Sequence, residues 1–396
     1  MEFQFCDYLN ISICHITENK KSVVINYYNP IARPVSSYVR FPVNSKNVVI
    51  LGSKGEPIKS QLLPVSKETT SLRRVHKGYA SYEVVFEACA PAIGFSTYFS
   101  NQTDDVSMKK YQSKMTYPTS LKFANDFIEN DHLRLEFSLE TGRLVRMIRK
   151  DRDLSLSVDQ QFFWYNGSTG NKASHQTSGA YIFRPNKTKP SEVCEGNKAK
   201  VSILKGPLVQ EVRQTFGPFV SQVIRLYTDS PYAEFEHTIG PIPVDDKLGK
   251  EIITRFDTNI ESQSTFYTDA NGREMKKRVR NHRDTWTLKV TEPVAGNYYP
   301  VNSRIYIKDD QAQLTIMSDR SQGGSSIEDG QIEVMLHRRL LVDDFLGVGE
   351  ALNEPGVDGR GLVTRGVHRV FLTTPGEAAR YHREQGEKML LPPQVR

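Results

Sequence analysis

Histidine and serine motifs that carry catalysis in a short stretch of chain are missing from this sequence. None of the nine histidines belongs to a His-x-His or His-Glu-x-x-His pattern, so a zinc site built from neighbouring residues is not indicated. A Gly-x-Ser-x-Gly elbow is also absent, which argues against the nucleophilic serine of an α/β-hydrolase. His237 shares a strand face with Phe235 and Ile239, and we expect it to be a core histidine.

Paired carboxylates are the other candidates for chemistry. Four pairs of adjacent aspartates occur: Asp104-Asp105, Asp245-Asp246, Asp309-Asp310 and Asp343-Asp344. A retaining glycosidase needs two carboxyl groups about 5 Å apart across the bond that is cut. Neighbouring residues of a strand point to opposite faces, so an adjacent pair does not make this geometry by itself. We interpret the first three pairs as turn or linker residues.

Short strands must position whatever the chain does. Runs rich in Val, Ile, Tyr and Phe alternate with Gly and Pro turns in the first hundred residues, which predicts a small β-sandwich. Many more alternating segments follow, with turns at Thr141-Gly142 and Asp329-Gly330. So many strands indicate two large sheets packed face to face. Gly323-Gly324-Ser325-Ser326 is interpreted as a corner between strands, and a helix is predicted only over 377–389.

Several long blocks of this sequence resemble the C-terminal region of the glycoside hydrolase family 38 α-mannosidases, the lysosomal type in particular. The blocks follow the family's order: Phe162-Phe163-Trp164-Tyr165-Asn166, Ser178-Gly179-Ala180-Tyr181-Ile182-Phe183-Arg184-Pro185-Asn186, Arg255-Phe256-Asp257-Thr258, Phe266-Tyr267-Thr268-Asp269 with Asn271-Gly272-Arg273-Glu274, Asn297-Tyr298-Tyr299-Pro300, Gly323-Gly324-Ser325-Ser326, and His337-Arg338-Arg339-Leu340 with Asp343-Asp344. The resemblance covers essentially the whole chain but only the middle-to-late part of the family's longer polypeptide.

The resemblance implies an all-β fold, in which a small β-sandwich precedes a galactose-mutarotase-like β super-sandwich. The expected organisation is a disulfide-closed segment over 1–20, the small sandwich over 21–103, a linker over 104–120 and the super-sandwich over 121–345. Residues 346–396 would be a loop, a short helix and the start of a truncated β domain. A disulfide between Cys6 and Cys14 is implied by the resemblance and suits their short separation. Cys89 and Cys194 are expected to be buried free thiols.

The resemblance also implies a function, the hydrolysis of terminal α-linked mannose in N-glycans by a zinc-assisted retaining mechanism. The family's zinc ligands and nucleophile lie in an N-terminal domain that this sequence does not match, so the chain alone is expected to bind no zinc and to be inactive. Tyr181 would contact the sugar. Leu346 stands where the family usually has an arginine, and only its main-chain carbonyl could serve the same contact.

Composition and modification signals bear on partners and compartment. A net charge of +6 and no recognisable nucleic-acid module argue against nucleic acid as a partner, and no apolar run approaches the ~20 residues of a membrane span. Sequons at Asn10, Asn101, Asn166 and Asn186 predict glycosylation, and Trp164 and Tyr165 are interpreted as surface aromatics near a glycan. No signal peptide is recognised, so a lysosomal or secreted location would depend on a longer precursor.

Two functions remain open from the sequence. The first is the β-rich part of a lysosomal-type α-mannosidase, which completes the sugar pocket and stabilises the missing catalytic domain, with a mannose-containing oligosaccharide as substrate. The alternative is a free-standing carbohydrate-binding or scaffolding β-protein without catalysis.

Overall fold

The computed structural model describes residues 4–72, 76–121, 125–172 and 175–395, which form two compact units. The first unit comprises the chain up to Thr119, the segment Ile203–Glu211 and the chain from Arg383 onward. The second comprises Ser120–Ser202 and Val212–His382. Within the described residues, no helix is long and apolar enough to cross a membrane.

Strands dominate the described residues. They are β1 (Ser22–Asn29), β2 (Val35–Val43), β3 (Val48–Leu51), β4 (Pro57–Ile58), β5 (Ser60–Pro64), β6 (Tyr82–Ala90), β7 (Gly94–Gln102), β8 (Lys114–Met115), β9 (Asn125–Glu129), β10 (Leu133–Ser138), β11 (Leu144–Arg149), β12 (Leu154–Asn166), β13 (Asn171–Lys172), β14 (His175–Gln176), β15 (Ser191–Glu192), β16 (Lys200–Lys205), β17 (Val209–Thr215), β18 (Val220–Tyr227), β19 (Ala233–Ile239), β20 (Lys250–Thr258), β21 (Thr265–Ala270), β22 (Glu274–Val279), β23 (Tyr299–Val301), β24 (Arg304–Lys308), β25 (Gln313–Ser318), β26 (Gln322–Ser325), β27 (Gln331–Arg339), β28 (Thr364–Thr373) and β29 (Gln394–Val395). The α-helices are α1 (His15–Asn19), α2 (Lys67–Leu72) and α3 (Pro375–Leu390), and the 3₁₀ turns are Leu9–Ile11, Val106–Tyr111, Lys150–Arg152, Glu195–Asn197 and Ala295–Asn297.

Two sheets form the core of the first unit, in the orders β29-β1-β7-β3-β4 and β2-β6-β5-β8. Apolar residues of both sheets share one buried cluster, in which the ring of Phe86 packs edge-on against Phe41 at 6.3 Å and Tyr98 at 5.1 Å. Gln61 is fully buried and its side chain bonds the backbone of Leu208 and Val209, which ties that segment to the unit.

The second unit is built on two large antiparallel sheets. One runs in the order β23-β26-β27-β20-β12-β11-β10-β9, with β15 paired to β12. The other runs β16-β17-β18-β19-β28-β25-β24-β21-β22, and its strands β16 and β17 carry residues of both units. Aromatic rings meet between the sheets, with Phe162 at 5.0 Å from Phe216 and Phe235 at 5.6 Å from Phe256. The two sheets therefore pack face to face, and the predicted all-β class is confirmed.

Local signals predicted several of these elements correctly. The Thr141-Gly142 turn joins β10 to β11, and Gly142 adopts a φ of +69°, a conformation that glycine accepts without steric cost. Gly330 does the same before β27, with a φ of +73°. The helix predicted over 377–389 is confirmed as α3.

Other elements differ from the sequence interpretation. Gly323-Gly324-Ser325-Ser326 is not a corner, because residues up to Ser325 belong to β26, which pairs with β23 and β27. Strand β28 lies in the middle of a nine-stranded sheet, between β19 and β25, although its residues follow the predicted end of the super-sandwich. The stretch 104–120, which was expected to be a linker, contains strand β8, and β8 pairs with β5 of the first unit.

Candidate functional site

Tyr181 lies on a tight turn of the second unit, between β14 and β15. The backbone N–H of Gly179 donates to the carbonyl of Ile182 at 2.9 Å, which closes the turn around Ala180 and Tyr181. The Tyr181 residue is 67% exposed, so it does not fill the core. An exposed tyrosine presents an apolar ring with a polar tip, the combination that a sugar requires of its binding site.

Asp344 connects this turn to the segment that carries Leu346. The Asp344 residue is fully buried, and its Oδ2 accepts a hydrogen bond from the backbone N–H of Tyr181 at 2.9 Å. Its Oδ1 accepts from the backbone N–H of Leu346 at 3.0 Å, and its carbonyl accepts from the Gln176 side chain at 2.9 Å. Leu346 is 50% exposed. One buried carboxylate therefore brings the two sequence-predicted substrate residues together.

A buried ion pair holds the same turn at another point. Glu251 of β20 is fully buried, and its Oε1 accepts from Arg338 Nε at 2.8 Å and from the Ser178 hydroxyl at 2.9 Å. Arg338 Nη2 also donates to the carbonyl of Ile182 at 2.8 Å. Burial raises the pKa of the Glu251 carboxyl, although Arg338 and Ser178 act in the opposite direction. The turn is thus bonded to Asp344 at Tyr181 and to Arg338 at Ile182.

A second buried carboxylate, Glu333 of β27, binds the two tyrosines that pack against Phe183, the residue directly after the turn. Its oxygens accept from the hydroxyls of Tyr165 at 3.0 Å and Tyr298 at 2.5 Å, and from Arg255 Nε at 3.0 Å. Phe183 packs edge-on against both tyrosine rings, with centroids 5.6 and 4.6 Å away. Burial and the charge of Glu333 raise the pKa of both phenols, which therefore stay protonated as donors. The prediction that Tyr165 is a surface aromatic is wrong, because it is only 1% exposed.

Sequence reasoning missed Glu251 and Glu333. The alternating pattern of β27 places Glu333 on a solvent face, but the structure buries both faces of the strand around it. Glu333 stands between Ile332 and Val334, and Glu251 precedes Ile252 and Ile253, each in a strand of nine residues; this was the available local signal. The arginines that neutralise them are distant in sequence or on a neighbouring strand, so the pattern alone does not identify the pairs.

The cysteines agree with the sequence interpretation only in part. Cys6 and Cys14 form the predicted disulfide, with their Cα atoms 5.1 Å apart. Cys89 and Cys194 are free thiols, but the prediction that both are buried is wrong. Cys89 is exposed because it points outward on β6, where its neighbours Ala88 and Ala90 point inward, and Cys194 is partly exposed.

The four sequon asparagines all reach the surface to some degree. Asn10 and Asn186 are exposed, and Asn101 and Asn166 are partly exposed. Asn166 and Asn186 face each other across an antiparallel bridge, with the Asn186 N–H bonded to the Asn166 carbonyl at 2.9 Å. Their glycosylation stays a prediction.

Histidines and carboxylates do not gather into a metal centre in the described part of the chain. No group of three or more His, Cys, Asp or Glu residues is placed there to hold an ion. His282 and Asp284 have a His-x-Asp spacing, and their side chains meet at 3.1 Å on the exposed surface. His237 is a core residue as predicted, with 2% exposure and its ring 5.0 Å from that of His368.

The chain is similar to known proteins in both sequence and fold. The family model of the glycosyl hydrolases family 38 C-terminal domain matches residues 128–346, and that of the lysosomal alpha-mannosidase-like central domain matches 58–99. Lysosomal alpha-mannosidase of Felis catus is 47% identical over 398 residues, which cover 100% of this chain and 37% of that protein. The Homo sapiens protein of the same name is 45% identical over 395 residues, which cover 99% of this chain and 38% of that protein.

Among solved structures, an alpha-mannosidase from Enterococcus faecalis V583 matches 98% of this chain and 47% of its own. Its TM-score is 0.59 at 14% identity, a likeness that shows the fold alone. This chain spans less than two-fifths of the length of the two lysosomal relatives described above.

Proposed function

Because this chain belongs to glycosyl hydrolase family 38, we propose that it is the β-rich C-terminal portion of a lysosomal-type α-mannosidase. The complete enzyme would hydrolyse terminal α-linked mannose in N-glycan catabolism, in a lysosomal or secreted location. The identity to lysosomal alpha-mannosidases extends over the whole chain but over only a part of those relatives. The proposed partners are a mannose-containing oligosaccharide and an N-terminal catalytic domain.

The role proposed for this portion is to complete the sugar pocket. The observation that carries it is the exposed pair Tyr181 and Leu346, which one buried carboxylate holds by their backbone amides. The Tyr181 hydroxyl would donate to or accept from a sugar hydroxyl, and the Leu346 carbonyl would accept from another. The proposed role of both groups is binding and orientation of the sugar.

Zinc enters this proposal only through the family resemblance. The described residues offer no group of three His, Cys, Asp or Glu side chains to hold it, so they do not fit a zinc site. We therefore assign no zinc ligand in this chain and derive no step through the metal.

The experiment compares the Tyr181→Phe variant with the parent enzyme, in a polypeptide that joins this chain to the catalytic domain. Loss of one neutral hydrogen bond is worth roughly 0.5–1.5 kcal/mol, so kcat/KM for an aryl α-mannoside should fall about 2- to 12-fold. The ring stays, and the residue is exposed, so the melting temperature should not change.

Tyr117→Phe is the matched control, because Tyr117 is 63% exposed and lies in the first unit. It should change neither kcat/KM nor the melting temperature. An unchanged kcat/KM in Tyr181→Phe would contradict the proposed sugar contact. A free-standing carbohydrate-binding protein would instead bind mannose as this chain alone, with an affinity that Tyr181→Phe lowers.

A further inference from the structure

Asp344 joins two chain segments that are far apart in sequence. Its two carboxylate oxygens are each engaged by a different backbone amide, that of Tyr181 at 2.9 Å and that of Leu346 at 3.0 Å. The residue is fully buried, so water does not compete for these bonds. Hydrogen bonds with a charged partner are shorter and about twice as strong as neutral ones. This one side chain therefore binds the backbone of both exposed residues, in addition to the bond that Arg338 makes at Ile182.

Asp344 is closely surrounded by Gly179, Phe345 and Gln176. A Cβ atom added to Gly179 would lie 2.3 Å from the Asp344 Cβ and 2.5 Å from its Oδ2, so only glycine allows the turn to come this close. Phe345 has a φ of +60°, an uncommon conformation for a bulky residue, and it directs the chain back so that the Leu346 amide reaches Oδ1. The Gln176 side chain bonds the Asp344 carbonyl.

We propose that Asp344 is a positioning residue for mannose, which holds the backbone at Tyr181 and at Leu346 so that the Tyr181 hydroxyl and the Leu346 carbonyl can contact the same sugar. This inference rests on the proposed function, because it assumes that both residues contact the sugar. Asp344 itself touches neither substrate nor reacting atoms, and it acts through the two amides that it binds. A shift of about 1 Å in such a contact is enough to lower the rate of an enzyme greatly.

The test uses Asp344→Asn in the polypeptide joined to the catalytic domain. Asparagine has the same shape but only one acceptor oxygen, so it can bind one amide and must present its NH₂ group to the other. We expect kcat/KM to fall at least as far as in Tyr181→Phe, about 2- to 12-fold. In the Tyr181→Phe background the same change should cost less than in the parent, because residues that act as a unit are not additive.

Asp269→Asn is the matched control for simple loss of stability. Asp269 is 2% exposed, and its carboxylate likewise joins two segments through the amides of Gly272, Ser303 and Arg304. Its replacement should lower the melting temperature and leave kcat/KM unchanged. If Asp344→Asn does no more than this control, Asp344 is structural and the inference is overturned. Gly179→Ala gives a second variant that displaces the carboxylate without replacing it.

Hydrogen exchange on the 396-residue chain separates this inference from the proposed function. The amides of Tyr181 and Leu346 should be protected in the parent and exchange faster in Asp344→Asn and Gly179→Ala. Unprotected amides in the parent would overturn the inference without any enzyme assay. Protected amides together with an unchanged kcat/KM in Tyr181→Phe would instead refute the proposed sugar contact, and the positioning of that contact would be refuted with it.

Discussion

Two buried histidines of the second unit should make its stability depend on pH. His237 of β19 and His368 of β28 are neighbours, with ring centroids 5.0 Å apart and exposures of 2% and 1%. Burial lowers the pKa of His368 to about 4; the charge of Asp319 opposes this shift and the charge of Arg320 acts in the same direction as burial. The pKa of His237 is lowered well below its ordinary value, again by burial first and then by His368 and Arg320. The folded state therefore keeps both rings neutral.

The second unit should lose stability as pH falls, because the unfolded chain binds a proton at these histidines before the folded state does. A histidine in the unfolded chain has a pKa of about 6.5, so as pH falls the unfolded state takes up the proton before the folded state. The stability that neutral His368 contributes is complete above pH 6.5 and is lost as pH falls toward 4. With a folded value of about 4, its share of the loss between pH 7.5 and pH 5 is about 2 kcal/mol of unfolding free energy.

The assay is urea unfolding at pH 7.5 and pH 5, followed by tryptophan fluorescence. The chain has two tryptophans, Trp164 and Trp286, and both belong to the second unit, so the signal reports that unit. His368→Gln cannot be protonated in this range, and its amide can replace the bond that His368 makes to Gln322 at 2.8 Å. This variant should lose about 2 kcal/mol less than the parent between the two pH values.

Other carboxyl groups that titrate in this pH range should contribute equally to the parent and to His368→Gln. Glu251 and Asp257 have a raised pKa because of burial, so they favour the folded state at low pH, but they are common to parent and variant. His282→Gln is the control, because His282 is exposed and lies in the same unit, and it should retain the pH dependence of the parent. Equal losses in the parent and in His368→Gln would refute the reasoning.

Two further predictions concern the ion pair and the cysteines. Arg338→Ala leaves Glu251 buried without its cation, and breaking a buried pair in this way costs about 3–5 kcal/mol, measurable by the same urea assay. The loss should be smaller at low pH, where Glu251 takes up a proton, and a loss under about 1 kcal/mol would contradict the assigned pair. Peptide mapping without reduction should find Cys6 linked to Cys14 and the other two cysteines alkylated; a peptide linking those two would contradict the structure.

Local patterns predicted a large part of the fold. Strand alternation, the turns at Gly142 and Gly330 and the helix α3 depend on residues that are close in sequence, so their physical causes can be read without the fold. The Cys6–Cys14 disulfide belongs to the same class, because its two cysteines are only eight positions apart in sequence. The all-β class followed from these local signals together.

Tertiary structure decided what those patterns leave open. Strand β28 enters a sheet between β19 and β25, far from both in sequence, because strand pairing depends on backbone groups that every sequence carries. Glu333 lies on the polar face of an alternating strand, yet it is buried because other elements cover that face and Arg255 neutralises it.

In the candidate site, too, some features were predicted from the sequence and others were decided only by the tertiary structure. The sequence by itself selected Tyr181 and Leu346 through the resemblance, and it set Asp343-Asp344 apart from the other carboxylate pairs. Only the folded chain assigned Asp344 the two amides, because residues 163 positions apart, Tyr181 and Asp344, meet through tertiary packing. A hydrogen bond between such distant residues depends on the conformation of the whole unit, and no spacing in the sequence encodes it.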